Sequence, residues 1–273
     1  MNHTDTKIVV GGLTVRYQTF GDSGKQPLIF FGGLPMKFFS REANEQVDFN
    51  LWKTVFAKYF YLIIADNPGF GESDPPPRIW SFMDYAKFFN TFVKQIGISK
   101  PIIMGKSWGG GIALTYAVSF PNDTKALILV NSGTNDDADR FFVKFGIVIT
   151  KFLIKIITSR IAPMSIKKYF ISGLLNIPRE KINKNTFSKY IIMEDTIFNF
   201  KTEIDHRELK MPLILVWGEH DFWAPVRNAY KLHKEVSNST ILLFKGKHLM
   251  MEKRPQEVIE KIIESLKKFN ISL

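Results

Sequence analysis

Six apolar runs recur along the chain, too continuous for half-exposed strands and separated by helix-like stretches. They are Leu28 to Phe31, "YFYLIIAD" ending at Asp66, "PIIMG" from Pro101, "ALILVNSG" from Ala126, "PLILVWGE" from Pro212 and "TILLFKG" from Thr240. Strands buried on both faces of a parallel sheet have this pattern, whereas a sheet with one wet face alternates apolar and polar residues. Upstream, "KIVVGGLTVRYQTFG" and the turn-rich "DSGKQP" predict a hairpin that feeds the first central strand. Helical stretches are expected from about Glu45 to Lys58, Ser81 to Gln95, Trp108 to Ser119, Val226 to Glu235 and Pro255 to Phe269. The fold class is therefore α/β, with a mostly parallel central sheet of about eight strands flanked by helices.

The alternation breaks once, between Ser132 and Met211, where helical patterns occur without a convincing buried strand. This predicts a helical cap at 133–210, inserted between a first core part, 1–132, and a second, 211–273. Charge marks the same segment. The chain of 273 residues carries a net charge of +11, and from Arg140 to Lys189 there are eleven basic residues against one acid, Glu180. The remainder is close to neutral, which argues against nucleic-acid binding by the protein as a whole. Along "RFFVKFGIVITKFLIKIIT", Arg140, Lys144, Lys151, Lys155 and Thr158 fall within roughly 60° of one another at about 100° per residue. That is a narrow cationic stripe on an apolar helix. Such a helix packs over the domain with its lysines in water, lines an acyl-binding pocket, or touches an anionic membrane surface.

With no cysteine in the chain, disulfides, thiolate metal sites and thiol catalysis are excluded. The start, "MNHTDTKIVVGG", has neither the basic flank nor the apolar run of a secretory signal, and no apolar segment reaches about 18 residues. A soluble, cytoplasmic protein is expected. No Walker spacing, dinucleotide fingerprint or histidine–carboxylate cluster with ligand spacing is present, so neither a cofactor nor a metal is assigned.

Between the third apolar run and the helix after it stands Gly105-Lys106-Ser107-Trp108-Gly109-Gly110. Glycines around a serine at a strand-to-helix junction suit a sharp turn that pushes the hydroxyl out of the sheet edge. A serine hydroxyl needs a base, and the base needs an orienting carboxylate. Of five histidines, His3 lies in a terminus expected to fray, His206 at the exit of the insertion, His220 beside Asp221 and His233 within a helix. His248 follows the last strand and Asp221 the fifth run, on the side of the sheet where Ser107 must lie. The plainer alternatives are that Ser107 and Asp221 cap helices and that His248 is an ordinary loop residue.

Over nearly its whole length the chain resembles the α/β-hydrolase fold superfamily. "GGLP" (Gly32 to Pro35), "DNPGFGESD" (Asp66 to Asp74), "GKSWGG", "GEHDFWAP" and "GKHLMMEKRP" carry the resemblance. It implies Ser107 as nucleophile, His248 as general base and then acid, and Asp221 as the orienting carboxylate, with Asp136 or Asp137 the alternative acid. It also implies an oxyanion hole from the backbone N–H groups of Trp108 and Leu34, Gly33 being the alternative register. Asp66 is read as a structural anchor. Gly33, Phe222 and Trp223 are candidate pocket residues, and Trp108, Phe222 and Trp223 could equally be core. The implied activity is that of a cofactor-free serine hydrolase, carboxylesterase- or lipase-like, acting on a small hydrophobic ester or thioester. Carbon–carbon bond hydrolysis, proline iminopeptidase activity and a low-turnover ligand-binding role are the alternatives. The expected partners are a small-molecule ester and, through the basic cap, an anionic membrane surface.

Overall fold

The computed structural model describes residues 2–34, 50–132, 155–157, 159, 161–183, 187, 190, 193, 196–197 and 204–273. Eight strands form one sheet: β1 His3–Val10, β2 Leu13–Phe20, β3 Pro27–Phe31, β4 Tyr61–Ala65, β5 Ile102–Lys106, β6 Ala126–Val130, β7 Leu213–Gly218 and β8 Ser239–Phe244. Their order is β1-β2-β4-β3-β5-β6-β7-β8. The β1–β2 hairpin pairs antiparallel, β2 joins β4 antiparallel, and every later pairing is parallel. Parallel strands need crossovers, and the intervening helices supply them. The helices are α1 Leu51–Phe56, α2 Phe82–Gln95, α3 Trp108–Ser119, α4 Met164–Leu175, α5 Arg227–Glu235, α6 Met250–Lys253 and α7 Pro255–Lys268.

Strand alternation sorts the core into two layers. Leu28, Phe30, Ile102, Met104, Ile128, Val130, Ile214 and Val216 face a cluster completed by α1, α6 and α7. Ile29, Phe31, Ile103, Leu127, Leu129, Leu213 and Leu215 face a second cluster that includes Phe89 and Phe92 of α2 and Ile112 and Tyr116 of α3. Each fully buried aliphatic side chain contributes about 1.5–3 kcal/mol, so the two layers supply most of the driving force. The start of α2 is set locally. Ser81 Oγ accepts from Asp84 N at 3.2 Å and Asp84 Oδ2 accepts from Ser81 N at 2.9 Å, a reciprocal capping box.

The terminus at His3 is not frayed, because the His3 ring stacks on Phe20 at 4.6 Å within the hairpin. In the stretch 133–210, the described residues form α4 and short 3-10 turns at Arg179–Lys181 and His206–Glu208, with no strand among them. The lysine-striped helix expected over Arg140 to Thr158 lies outside the described residues except for helical 155–157, and so do Asp136 and Asp137.

Candidate active site

The C-terminal ends of β5, β7 and β8 each deliver one of the three candidate side chains to the same sheet edge. Ser107 follows β5 with φ 52° and ψ −123°, a conformation costly for a residue bearing a Cβ. Its flanking glycines make the turn feasible: a Cβ at Gly105 would lie 2.6 Å from the Gly109 carbonyl, and one at Gly109 would lie 2.3 Å from the Phe31 carbonyl. Backbone bonds hold the strained turn, from Ser107 N to Val130 O at 3.0 Å and from Gly110 N to Ser107 O at 2.9 Å. The serine side chain makes no capping bond to α3, which leaves its hydroxyl free for other work.

Asp221, in the loop after β7, has a fully buried side chain. Its Oδ1 accepts from Trp223 N at 2.8 Å and Ala224 N at 3.0 Å, and its Oδ2 lies 2.7 Å from His248 Nδ1. A carboxylate can only accept, so the His248 Nδ1–H donates to Asp221 and Nε2 is left for other partners. Asp221 therefore does not cap a helix; it shapes its own loop and fixes the tautomer of His248. Ser107 Oγ makes no hydrogen bond among the described residues. The loop that carries His248 is joined to the strand beside Ser107 through Lys247 and Asn131.

That connection depends on Asn131, which the sequence pattern hid at the end of an apolar run. Asn131 is fully buried, with φ 44°. Its N–H donates to Val216 O at 3.0 Å, its Oδ1 accepts from Gly218 N at 3.1 Å, and its Nδ2 donates to Lys247 O at 3.1 Å. One side chain thus ties β7 and the residue before His248 to the strand beside Ser107. The signal was available: an asparagine ending a run of buried strand residues must find partners.

Gly33 borders the serine, since a Cβ there would stand 2.9 Å from Ser107 Cβ and 3.5 Å from its Oγ. Asn67 Nδ2 holds this loop by donating to Gly32 O at 3.1 Å. Leu34 is half-buried against the core. The Trp108 ring is core, packed on Phe70, Phe82 and Tyr85, with Nε1 donating to Ile197 O at 3.2 Å. Phe222 and Trp223 are not core: they are 83% and 52% exposed and form an edge-to-face pair beside Asp221. Asp66 Oδ2 accepts from Glu72 N at 3.0 Å and from Arg16 at 3.4 Å, an anchoring arrangement for its loop. The other histidines are occupied elsewhere or face outward: His206 bonds Glu235, His233 bonds Ser239, and His220 is exposed.

A mostly parallel sheet with helices on both faces, a serine elbow and a carboxylate–histidine pair at its C-terminal edge defines a hydrolase-type architecture. The chain belongs to the α/β hydrolase fold family, whose model matches residues 26–255. It is 25% identical over 279 residues to the uncharacterized hydrolase YugF of Bacillus subtilis, covering 96% of this chain and 97% of that one. It is 26% identical to the monoacylglycerol lipase ABHD6 of Mus musculus over 80% of this chain and 71% of the relative. Among solved structures, a bacterial membrane phospholipase A superposes with a TM-score of 0.73 at 15% identity, over 99% of this chain and 87% of the other.

Proposed function

We propose that the protein is a serine hydrolase that cleaves a carboxylic ester or thioester with an apolar acyl part. The observation that carries this reading is the 2.7 Å Asp221–His248 contact at the edge where Ser107 is held in its strained turn. In this mechanism Ser107 Oγ bonds to the substrate carbonyl carbon while its proton passes to His248 Nε2. Collapse of the tetrahedral intermediate breaks the carbon–oxygen or carbon–sulfur bond, and His248 returns the proton to the leaving alcohol or thiol. Water then attacks the acyl-enzyme by the same route. Asp221 holds the imidazolium throughout. The N–H groups of Trp108 and of Leu34, which follows the Gly33 contact, receive the oxyanion, and their benefit is greatest where charge develops. The exposed Phe222–Trp223 pair next to Asp221 offers apolar surface to such a substrate. A relative named as a monoacylglycerol lipase supports a lipid-like ester over a polar one.

Labelling by a fluorophosphonate tests the reading directly. Wild type should label, Ser107→Ala and His248→Ala should not, and Asp221→Asn should label at least tenfold more slowly, since the wrong tautomer then prevails. Absence of labelling in folded wild type would overturn it. A series of p-nitrophenyl esters of increasing chain length then identifies the acyl preference.

A second reading concerns residues 133–210, proposed as a cap that meets an anionic membrane surface. Ile161 is 94% exposed, and Ile156, Ile166 and Tyr169 are also exposed in a segment that carries exposed Lys155 and Arg179. Apolar side chains among cations suit an interface of acyl chains and anionic headgroups. Among the described residues no helix is long and apolar enough to cross a membrane, and the contact envisaged is peripheral. Sedimentation with phosphatidylglycerol vesicles at low salt, reversed by salt, is the expected result; no binding at low salt would remove this reading.

A further inference from the structure

Directly beside the proposed nucleophile is a buried ion pair that the chemistry does not use. Lys106, the last residue of β5, and Glu252, in α6, are 6% and 7% exposed, and Lys106 Nζ bonds Glu252 Oε1. Strand alternation places Lys106 in phase with Ile102 and Met104, on the face covered by α1, α6 and α7. The surrounding cluster includes Met104, Val130, Phe244, Met250 and Met251. Glu252 Oε2 is buried with no hydrogen-bond partner.

As a stabilising device this is a poor choice. Desolvating both ions costs much of what their attraction returns, and an apolar pair of similar volume often serves stability as well or better. What an ion pair supplies and an apolar contact does not is a fixed direction and distance. Here its ends lie at significant positions. Lys106 immediately precedes Ser107, and Glu252 comes four residues after His248. Asn131 grips Lys247 on the other side of that histidine. The imidazole is therefore carried on a short span secured at both ends, with one end bonded to the backbone unit that carries the serine.

We infer that Lys106 and Glu252 are positioning residues whose ion pair sets the distance between Ser107 and His248. This inference rests on the serine-hydrolase reading above. A displacement of about 1 Å between reacting groups can lower a rate on the order of a hundredfold, so loss of the strut should appear in kcat and not in substrate binding.

The test removes both charges together, because either single neutral replacement strands a buried ion. The Lys106→Met/Glu252→Met double variant should fold with an unchanged or higher Tm. Its kcat on a p-nitrophenyl ester should fall about tenfold or more with KM unchanged, and fluorophosphonate labelling should slow in step. Independently of turnover, the downfield proton resonance of the imidazole Nδ1–H bonded to Asp221 should be sharp in wild type and broadened in the double variant. Wild-type kcat together with a sharp resonance in the folded double variant would overturn the inference. Should the double variant not fold, Glu252→Asp keeps both charges and shortens one arm: lowered kcat at constant KM supports the strut, and wild-type kcat refutes it. Failure of wild type to label would count against the hydrolase reading alone, since the resonance comparison still decides the positioning question.

Discussion

Asn131 Nδ2 donates to the carbonyl of Lys247 at 3.1 Å, joining the residue after β6 to the residue before His248. The same side chain accepts from Gly218 N at 3.1 Å, so its two amide atoms serve two different loops.

Asn131→Ala strands the Gly218 N–H and takes one donor from the Lys247 carbonyl, which keeps the Met250 N–H at 3.3 Å. At about 1–3 kcal/mol for a buried unpaired group, urea unfolding should show a loss of that order. Asn131→Asp keeps the acceptor for Gly218 but loses the donor to Lys247. It should lower kcat on an ester substrate more than it lowers stability, and equal kcat for this variant and wild type would show that the Lys247 contact does not matter to the histidine.

Gly33→Ala tests how closely the loop after β3 presses on Ser107. The added methyl would meet Ser107 Cβ at 2.9 Å and the Lys106 carbonyl at 3.2 Å. One of the two must shift, and a drop in kcat of roughly tenfold to a hundredfold is expected with little change in Tm. Kinetics indistinguishable from wild type would show that the loop gives way without disturbing the reacting atoms, which would count against a fixed oxyanion donor in it.

The cap of α2 should give the fold an acid-sensitive component. Burial alone would raise the Asp84 carboxyl, but hydrogen bonds from Arg78 and Ser81 outweigh it and bring its pKa down to about 2. Because the folded value lies below the unfolded value of about 3.9, this stabilisation is present above pH 4 and fades as pH falls toward about 2. Asp84→Asn should therefore be less stable than wild type at neutral pH and converge with it in acid. A constant gap between the two at all pH values would assign the effect to packing.

The strands were legible because burial on both faces leaves no polar phase: "LILVW" can be little other than an interior strand, and Leu213–Gly218 is one. The boundaries of α2 were legible for a local reason, since Ser81 and Asp84 form their box within four residues. Asp221 and His248 were found because chemistry restricts which residue types can serve, and they do meet. Lys106 and Glu252 were not found. A lysine in an elbow motif and a glutamate in a helix look like surface residues until a separation of 146 positions is closed. Asn67, which holds the Gly32 carbonyl, escaped for the same reason. Phe222 and Trp223 show the opposite limitation: their side chains suit a core as well as a pocket wall, and only the path of the loop turns them out of the core.

The backbone at Ser107 also bears on heat tolerance. A residue with a Cβ held at φ 52° and ψ −123° carries on the order of 1–3 kcal/mol of strain, whereas glycine would relax there at the expense of about 0.5–1 kcal/mol of chain entropy. Ser107→Gly should thus melt a few degrees above wild type, at roughly 2–4 °C per kcal/mol for a large domain, while losing all labelling. That outcome would mean that the position proposed to perform the reaction also limits how much heat the chain withstands.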